Sequence, residues 1–245
     1  MRKFFAIVRR EWLAYFYSPL GYIILAAFWF LNGFIFSTIL GFLSRPGAGS
    51  MQPLGILFNN TFFWIFMIFF IPVITMRLIS EERKSGSIET LLTSPVTAGT
   101  IILGKFTAAF LFYTVLWVPV VFYALILEKF ATIDLRIVAS SLLAVLLLGA
   151  YFLAIGTFAS SLSKNQIVAA ILGFLMILIV FSAGLLQSLA NEPSWRDFLS
   201  YVTIWDHMEE FARGVVDTRH IVYYVSAAAG FLFLAQATLE VKKGQ

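Results

Sequence analysis

An all-α integral membrane protein with six transmembrane helices is the fold class this sequence predicts, and three observations predict it. Hydrophobic residues fill 60% of the 245 positions and charged residues only 12%, where a soluble domain carries about a quarter charged. The mean hydropathy is +0.91. The charges are also segregated, leaving uncharged runs over residues 12–44, 46–76, 106–127, 137–163, 165–191 and 220–239, with only His220 at the edge of the last. Each run reaches the roughly 20 residues that an α-helix needs to cross about 30 Å of hydrocarbon.

Turn residues trim two of the runs: Ser18-Pro19 opens the first and PGAGSMQPLG (46–55) opens the second. The spans are then expected at 20–43, 56–78, 101–127, 137–162, 165–189 and 220–239, in a single transmembrane domain over 1–245. Pro72 and Pro119 are positioned to kink the second and third spans. Gly149, Gly156 and Ser160 recur on one face of the fourth, where small residues allow close helix contact within the bundle.

Ahead of the first span, residues 1–18 put Arg2, Lys3, Arg9 and Arg10 on one helical stripe and Phe5, Val8, Trp12 and Tyr15 or Phe16 on another. That pattern predicts an amphipathic helix lying on membrane lipids. A cleaved signal peptide fits less well, because Arg9, Arg10 and Glu11 break the apolar stretch and no small-residue cleavage site follows. The outer segment 190–219 places Trp195, Phe198, Leu199 and Val202, then Trp205, Met208 and Phe211 or Ala212, at helical spacing. Two short outer helices are expected there, in a re-entrant or interfacial setting.

Orientation follows from the loops. The side holding both termini carries eleven Lys and Arg, and the other side carries six together with eight of the thirteen acids. The positive-inside rule predicts cytoplasmic termini and a multi-pass protein of the cell (inner) membrane. The segment EERKSGSIETLLTSPV (81–96) is then cytoplasmic, with Ser85 or Ser87 able to cap a short helix, Glu89 in its first turn, Ile88, Leu91 and Leu92 on one face, and Pro95 at its end. A two-turn helix of this kind is held by packing against the bundle rather than by its own propensity.

Chemistry of other kinds finds little support. There is no cysteine, which removes disulfides and thiolate ligands, and the two histidines, His207 and His220, lack metal-ligand spacing. Asp206-His207 with Glu209-Glu210 reads as a solvated acidic helix face rather than a cation site. GTIILGKF (99–106) matches the start of a phosphate-binding loop, but Phe106 replaces the magnesium-ligating hydroxyl and a membrane span, not a strand, surrounds it. No catalytic residue, metal, cofactor or nucleic-acid partner is therefore expected. No span carries a charge near its middle, which disfavours coupling to an ion gradient, and Asn32, Gln187 and Gln236 read as helix-to-helix hydrogen bonders.

EERKSGSIETLLTSPVTAGTIILGK resembles the hallmark of type-2 ATP-binding-cassette (ABC) export permeases, with Glu82, Gly86, Glu89, Leu92 and Pro95 carrying the match. SPLGYI (18–23), IPVITMRLISEE (71–82) and FARGVVDTRHIVYY (211–224) extend it, the last looking like the gliding-motility-type branch. The resemblance implies a transport subunit without an ATP site, pairing with a second permease as homodimer or heterodimer and docking two cytoplasmic ABC ATPase subunits. It further implies that Glu82, Arg83, Glu89 and Thr90 contact the ATPase, that Ile88, Leu91 and Leu92 anchor the coupling helix, and that Gly86 and Pro95 bound it. A passive channel or secondary carrier, and a membrane scaffold of a motility or secretion machine, are the competing readings. The apolar path suits an apolar or amphipathic cargo, or an uncharged polymer.

Overall fold

The computed structural model describes residues 2–43, 61–86, 96–128, 134–189 and 192–243, and every regular element among them is helical. In chain order these are α1 (Arg2–Tyr17), α2 (Pro19–Leu43), α3 (Thr61–Thr75), α4 (Arg77–Lys84), α5 (Ala98–Leu116), α6 (Val118–Glu128), α7 (Leu135–Leu162), α8 (Gln166–Leu189), α9 (Pro193–Val202), α10 (Ile204–Ala212) and α11 (Thr218–Lys243). Six stretches are long and apolar enough to cross a bilayer: Pro19–Gly41, Thr61–Lys84, Ala98–Glu128, Leu135–Leu162, Gln166–Gln187 and Thr218–Val241. The architecture is that of an all-α integral membrane protein.

Helix α7 is the central post, with α3, α5, α8, α10 and α11 packed around it. Its small residues explain the closeness of the fit. A methyl added at Gly149 would lie 2.1 Å from the Tyr113 ring, and one at Gly156 would lie 2.2 Å from Thr75 Oγ1. The small-residue face of this span therefore serves packing inside the bundle.

Both prolines act where the sequence places them. Pro119 has no N–H to give, and the helix breaks at Trp117 between α5 and α6. Pro72 sits inside α3, which ends at Thr75, and α4 restarts at Arg77 after Met76. The break frees backbone groups in an apolar setting, and α7 satisfies them: Ile79 and Ser80 N–H donate to Ser160 Oγ at 3.1 and 3.2 Å, while that hydroxyl donates to Met76 O at 3.0 Å. Ser160→Ala should leave the Ile79 N–H without its acceptor and remove the hydroxyl from Met76 O, lowering stability by about 1–3 kcal/mol. Thermal unfolding of the purified protein, with the conservative Ser160→Thr alongside, measures this.

Helix α1 does more than float on lipid. Val8 and Tyr15 are buried, Trp12 and Phe16 pack on the core, and the Tyr15 ring stacks on Phe112 at 4.5 Å while its hydroxyl donates to Ile74 O at 2.9 Å. Phe5, on the same apolar stripe by its spacing, is 64% exposed, as a lipid-facing ring would be. Of the three amides expected to bond between helices, Gln187 does so, donating to Asp206 at 3.1 Å, while Asn32 donates to Phe28 O and Gln236 to Glu240 within their own helices. An amide that satisfies itself along its own helix costs little in hydrocarbon and needs no partner helix.

The predicted pair of short helices between the last two spans is present as α9 and α10. Ile204, Met208, Phe211 and Ala212 turn inward, and Trp205 stacks on Trp64 at 4.6 Å.

Candidate functional site

Among the described residues, one Lys, Arg, Asp or Glu is fully buried: Lys105, at 1% exposure. It lies two turns into α5, about 10 Å from the helix start at 1.5 Å per residue. A buried ammonium must be paired, and two elements converge to pair it. Glu11 of α1 approaches Nζ at 3.1 Å and Glu82 of α4 at 3.0 Å. Arg10, half exposed, closes the ring by bridging Glu11 at 2.5 Å and Glu82 at 2.8 Å. Two cations and two anions make a neutral network in which α1, α4 and α5 are each joined to the other two. Burial pushes the Glu11 carboxyl up, but the Lys105 ammonium and the Arg10 guanidinium outweigh it, leaving Glu11 charged to below the ordinary carboxylate range.

The network sits on the stems of the segment that carries the sequence hallmark. Ile88, Glu89, Thr90, Leu91, Leu92 and Pro95 lie outside the described residues, and both flanks are described. On one flank, α4 ends at Lys84 with Ser85 as its cap, and Gly86 takes φ of +72°, a left-handed conformation that a residue with a Cβ adopts only at a cost. On the other, Thr97 Oγ1 accepts from Thr100 N–H at 3.3 Å and opens α5.

Helix α4 is thereby fixed along its length. Its base is held by Ser160 and by Arg77, which donates to Ser18 Oγ at 2.9 Å. Its tip is held by the Glu82 pairs and by the Arg83 guanidinium, which donates to Ser161 O at the end of α7. Glu82 and Arg83 thus point into the protein, not away from it. Of the amphipathic set, Arg2, Lys3 and Arg9 are exposed, Trp12 packs inward and Arg10 joins the network.

The profile of the ABC-2 family transporter proteins matches residues 6–239. The chain belongs to that family. No curated protein matches the sequence. An ABC-2 permease is the transmembrane component of an ABC transporter and not its ATPase, and the six apolar helices make this one a multi-pass membrane protein. The rejection of GTIILGKF as a nucleotide loop accords with that division of labour. Its Lys105 has another use in this permease: it is the center of the ion network.

Glu11 and Lys105 were missed as site residues in the sequence because nothing local pairs them. The available signal was compositional, a single acid inside a basic amphipathic helix and a single base inside an apolar span, each needing an opposite charge.

A second polar cluster lies at the far end of the permease. The His207 and His220 rings are 4.0 Å apart, His220 Nε2 is 2.7 Å from Glu210 Oε2, and Tyr223 and Tyr224 pack edge-on against His207, with Tyr151 behind them. Among the described residues no set of three acidic or imidazole ligands converges on a metal position. Burial, with His220 adding to it, pushes His207 down to about 4, against the pull of Glu210. The sign follows: the unfolded chain protonates His207 below about 6.5 while the folded chain stays neutral to about 4, so its contribution is intact above 6.5 and is lost between those values. Acidification from pH 7 to 5 should therefore cost on the order of 1 kcal/mol, or about 2–4 °C in unfolding midpoint. A thermal-melt pH series on the protein and on His207→Phe checks it, the variant losing most of the pH dependence.

Proposed function

We propose that this permease is driven by cytoplasmic cassette ATPases pushing on residues 86–95, and that the Arg10–Glu11–Glu82–Lys105 network passes the push into the bundle. Supporting the reading is one observation: the stems on both sides of the hallmark segment are ion-paired to each other and to α1. A force on a loop that hangs from loose stems is dissipated in the loop. Where the stems are joined, the same force moves α1, α4 and α5 as one body, and the Ser160-capped break at Met76 is where that body meets the rest of the second span.

In this reading Glu89 and Thr90 meet the ATPase, Ile88, Leu91 and Leu92 seat the coupling helix on the bundle, and Gly86 and Pro95 bound it. Glu82 and Arg83 act one step behind, locking the stem. The complex holds two permeases, identical or different, and two ATPase subunits, with both permease termini in the cytoplasm of a cell whose inner membrane it spans. Its direction is export, and FARGVVDTRHIVYY relates it to the gliding-motility-type branch.

Glu89→Lys and Ile88→Asp test the assignment, since neither places a charge inside a membrane span. Both variants should insert normally and lose about tenfold or more of the ATPase activity that depends on permease contact, equivalent to at least about 1.4 kcal/mol of coupling. Unchanged activity in both would refute it.

A further inference from the structure

Between α1 and the base of α4 lies an open cleft of about 470 Å³, lined by Arg10, Leu13, Ala14, Tyr17, Ser18 and Arg77. That size is in the range of small-molecule sites. Its height is set by the chain: Ser18 is the bend between α1 and the first span, and Arg77 begins α4 directly after the break at Met76. The cleft therefore lies at the start of the first candidate span, Pro19–Gly41, and beside the charged last third of the second, Thr61–Lys84, and basic side chains at span ends are suited to the headgroup level.

Its chemistry has two halves. Arg10 and Arg77 bring two guanidinium groups to one opening, and the ion pairs of each leave N–H groups over. Arg10 engages carboxylates through Nε and Nη2. Arg77 donates to Ser18 Oγ at 2.9 Å and to Ala14 O at 3.4 Å, stands 5.6 Å over the Tyr15 ring, and meets Glu81 only loosely at 3.8 Å. Planar guanidinium groups match phosphate oxygens in geometry and charge. The other half of the lining is apolar, with Leu13, Ala14 and the ring of Tyr17, which is 82% exposed at the rim. A soluble anion would leave that half unused. A phosphate carrying acyl chains would cover it.

We propose that this cleft binds the phosphate of an anionic phospholipid headgroup from the leaflet that faces the termini. The site shares Arg10 with the ion network, so its test reads lipid retention and Arg77, neither of which depends on the coupling assignment. Occupancy would brace α1 against α4 at the base, where Arg77 and Ser18 already join them.

Native mass spectrometry of the full chain, stripped of lipid in detergent and titrated separately with phosphatidylglycerol, phosphatidylcholine and inorganic phosphate, tests it. The expected result is phosphatidylglycerol retained about tenfold more tightly than phosphatidylcholine, a difference of about 1.4 kcal/mol. Arg77→Gln should remove that preference, and Arg77→Lys should restore part of it by returning charge without the fork. Inorganic phosphate that displaces phosphatidylglycerol at matched concentration would overturn the lipid source in favour of a soluble phosphate. Equal retention of the two lipids by the unaltered chain, a comparison that needs no variant to fold, would overturn the proposal outright. So would a preference that Arg77→Gln leaves intact while the variant melts like the parent.

Discussion

Lys105→Met is expected to cost this permease about 3–5 kcal/mol, because removing one partner of a buried ion pair leaves the others charged and unsolvated. The groups left behind are Glu11 and Glu82, both largely buried, and the half-exposed Arg10 bridges them from the rim. Stability alone does not separate a structural pin from a transmission element. The triple variant Glu11→Gln, Glu82→Gln, Lys105→Met does, since it removes the stranded charges together with the cation. It should recover much of the thermal stability lost by Lys105→Met, while permease-dependent ATPase activity stays low because the stems are no longer joined. Recovery of both quantities together would show that the network only holds the fold.

Gly156→Val should have the second largest effect. Even a single methyl at this position would lie 2.2 Å from Thr75 Oγ1 and 2.9 Å from its Cβ, in the last turn before the break at Met76. Thr75 is itself tied down, donating to Ile71 O at 2.9 Å, so it has little room to yield. Overpacking of this kind costs about 1–3 kcal/mol. Its functional consequence is displacement of α4 from α7, which strains the Ser160 bridge and carries Glu82 away from Lys105. The chain has no native cysteine, so a pair introduced at Arg83 and Ser161, which already meet across α4 and the end of α7, would report on that gap without background. Cross-linking yield should fall in Gly156→Val relative to the same pair in the parent. An unchanged yield with an unchanged melting point would remove Gly156 from the account.

The six spans were legible because charge is expelled from them, and the helix breaks were legible because proline announces itself. What proline does not announce is who satisfies the groups it frees. Ser160 was visible as a small residue on a packing face, but its hydroxyl reaches Ile79 and Ser80, some eighty positions away in the chain. The same limit hid the ion network. Glu11, Glu82 and Lys105 are each ordinary in their local setting, and only the packing of α1 along α5 and beside α4 makes them one cluster. His207 and His220, thirteen residues apart with no ligand spacing, come to 4.0 Å between rings because α10 folds back onto the start of α11. Periodicity reports which face a residue lies on, and the long-range pairing of faces decides what it touches.

An amphipathic stripe is the signature both of a helix lying on lipid and of one lying on protein. Val8, Tyr15, Trp12 and Phe16 face the bundle, and the charged neighbours Arg10 and Glu11 settle the matter by bonding to α4 and α5.

The most direct measurement of the central claim is mild-detergent isolation of this permease from native membranes, with mass spectrometry of co-purifying chains and an ATPase assay of the complex with and without Lys105→Met. The account predicts a cassette ATPase in the complex, vanadate-sensitive activity, and its loss in the variant. Reproducible isolation of the permease with no ATPase chain, or activity indifferent to Lys105, would contradict it.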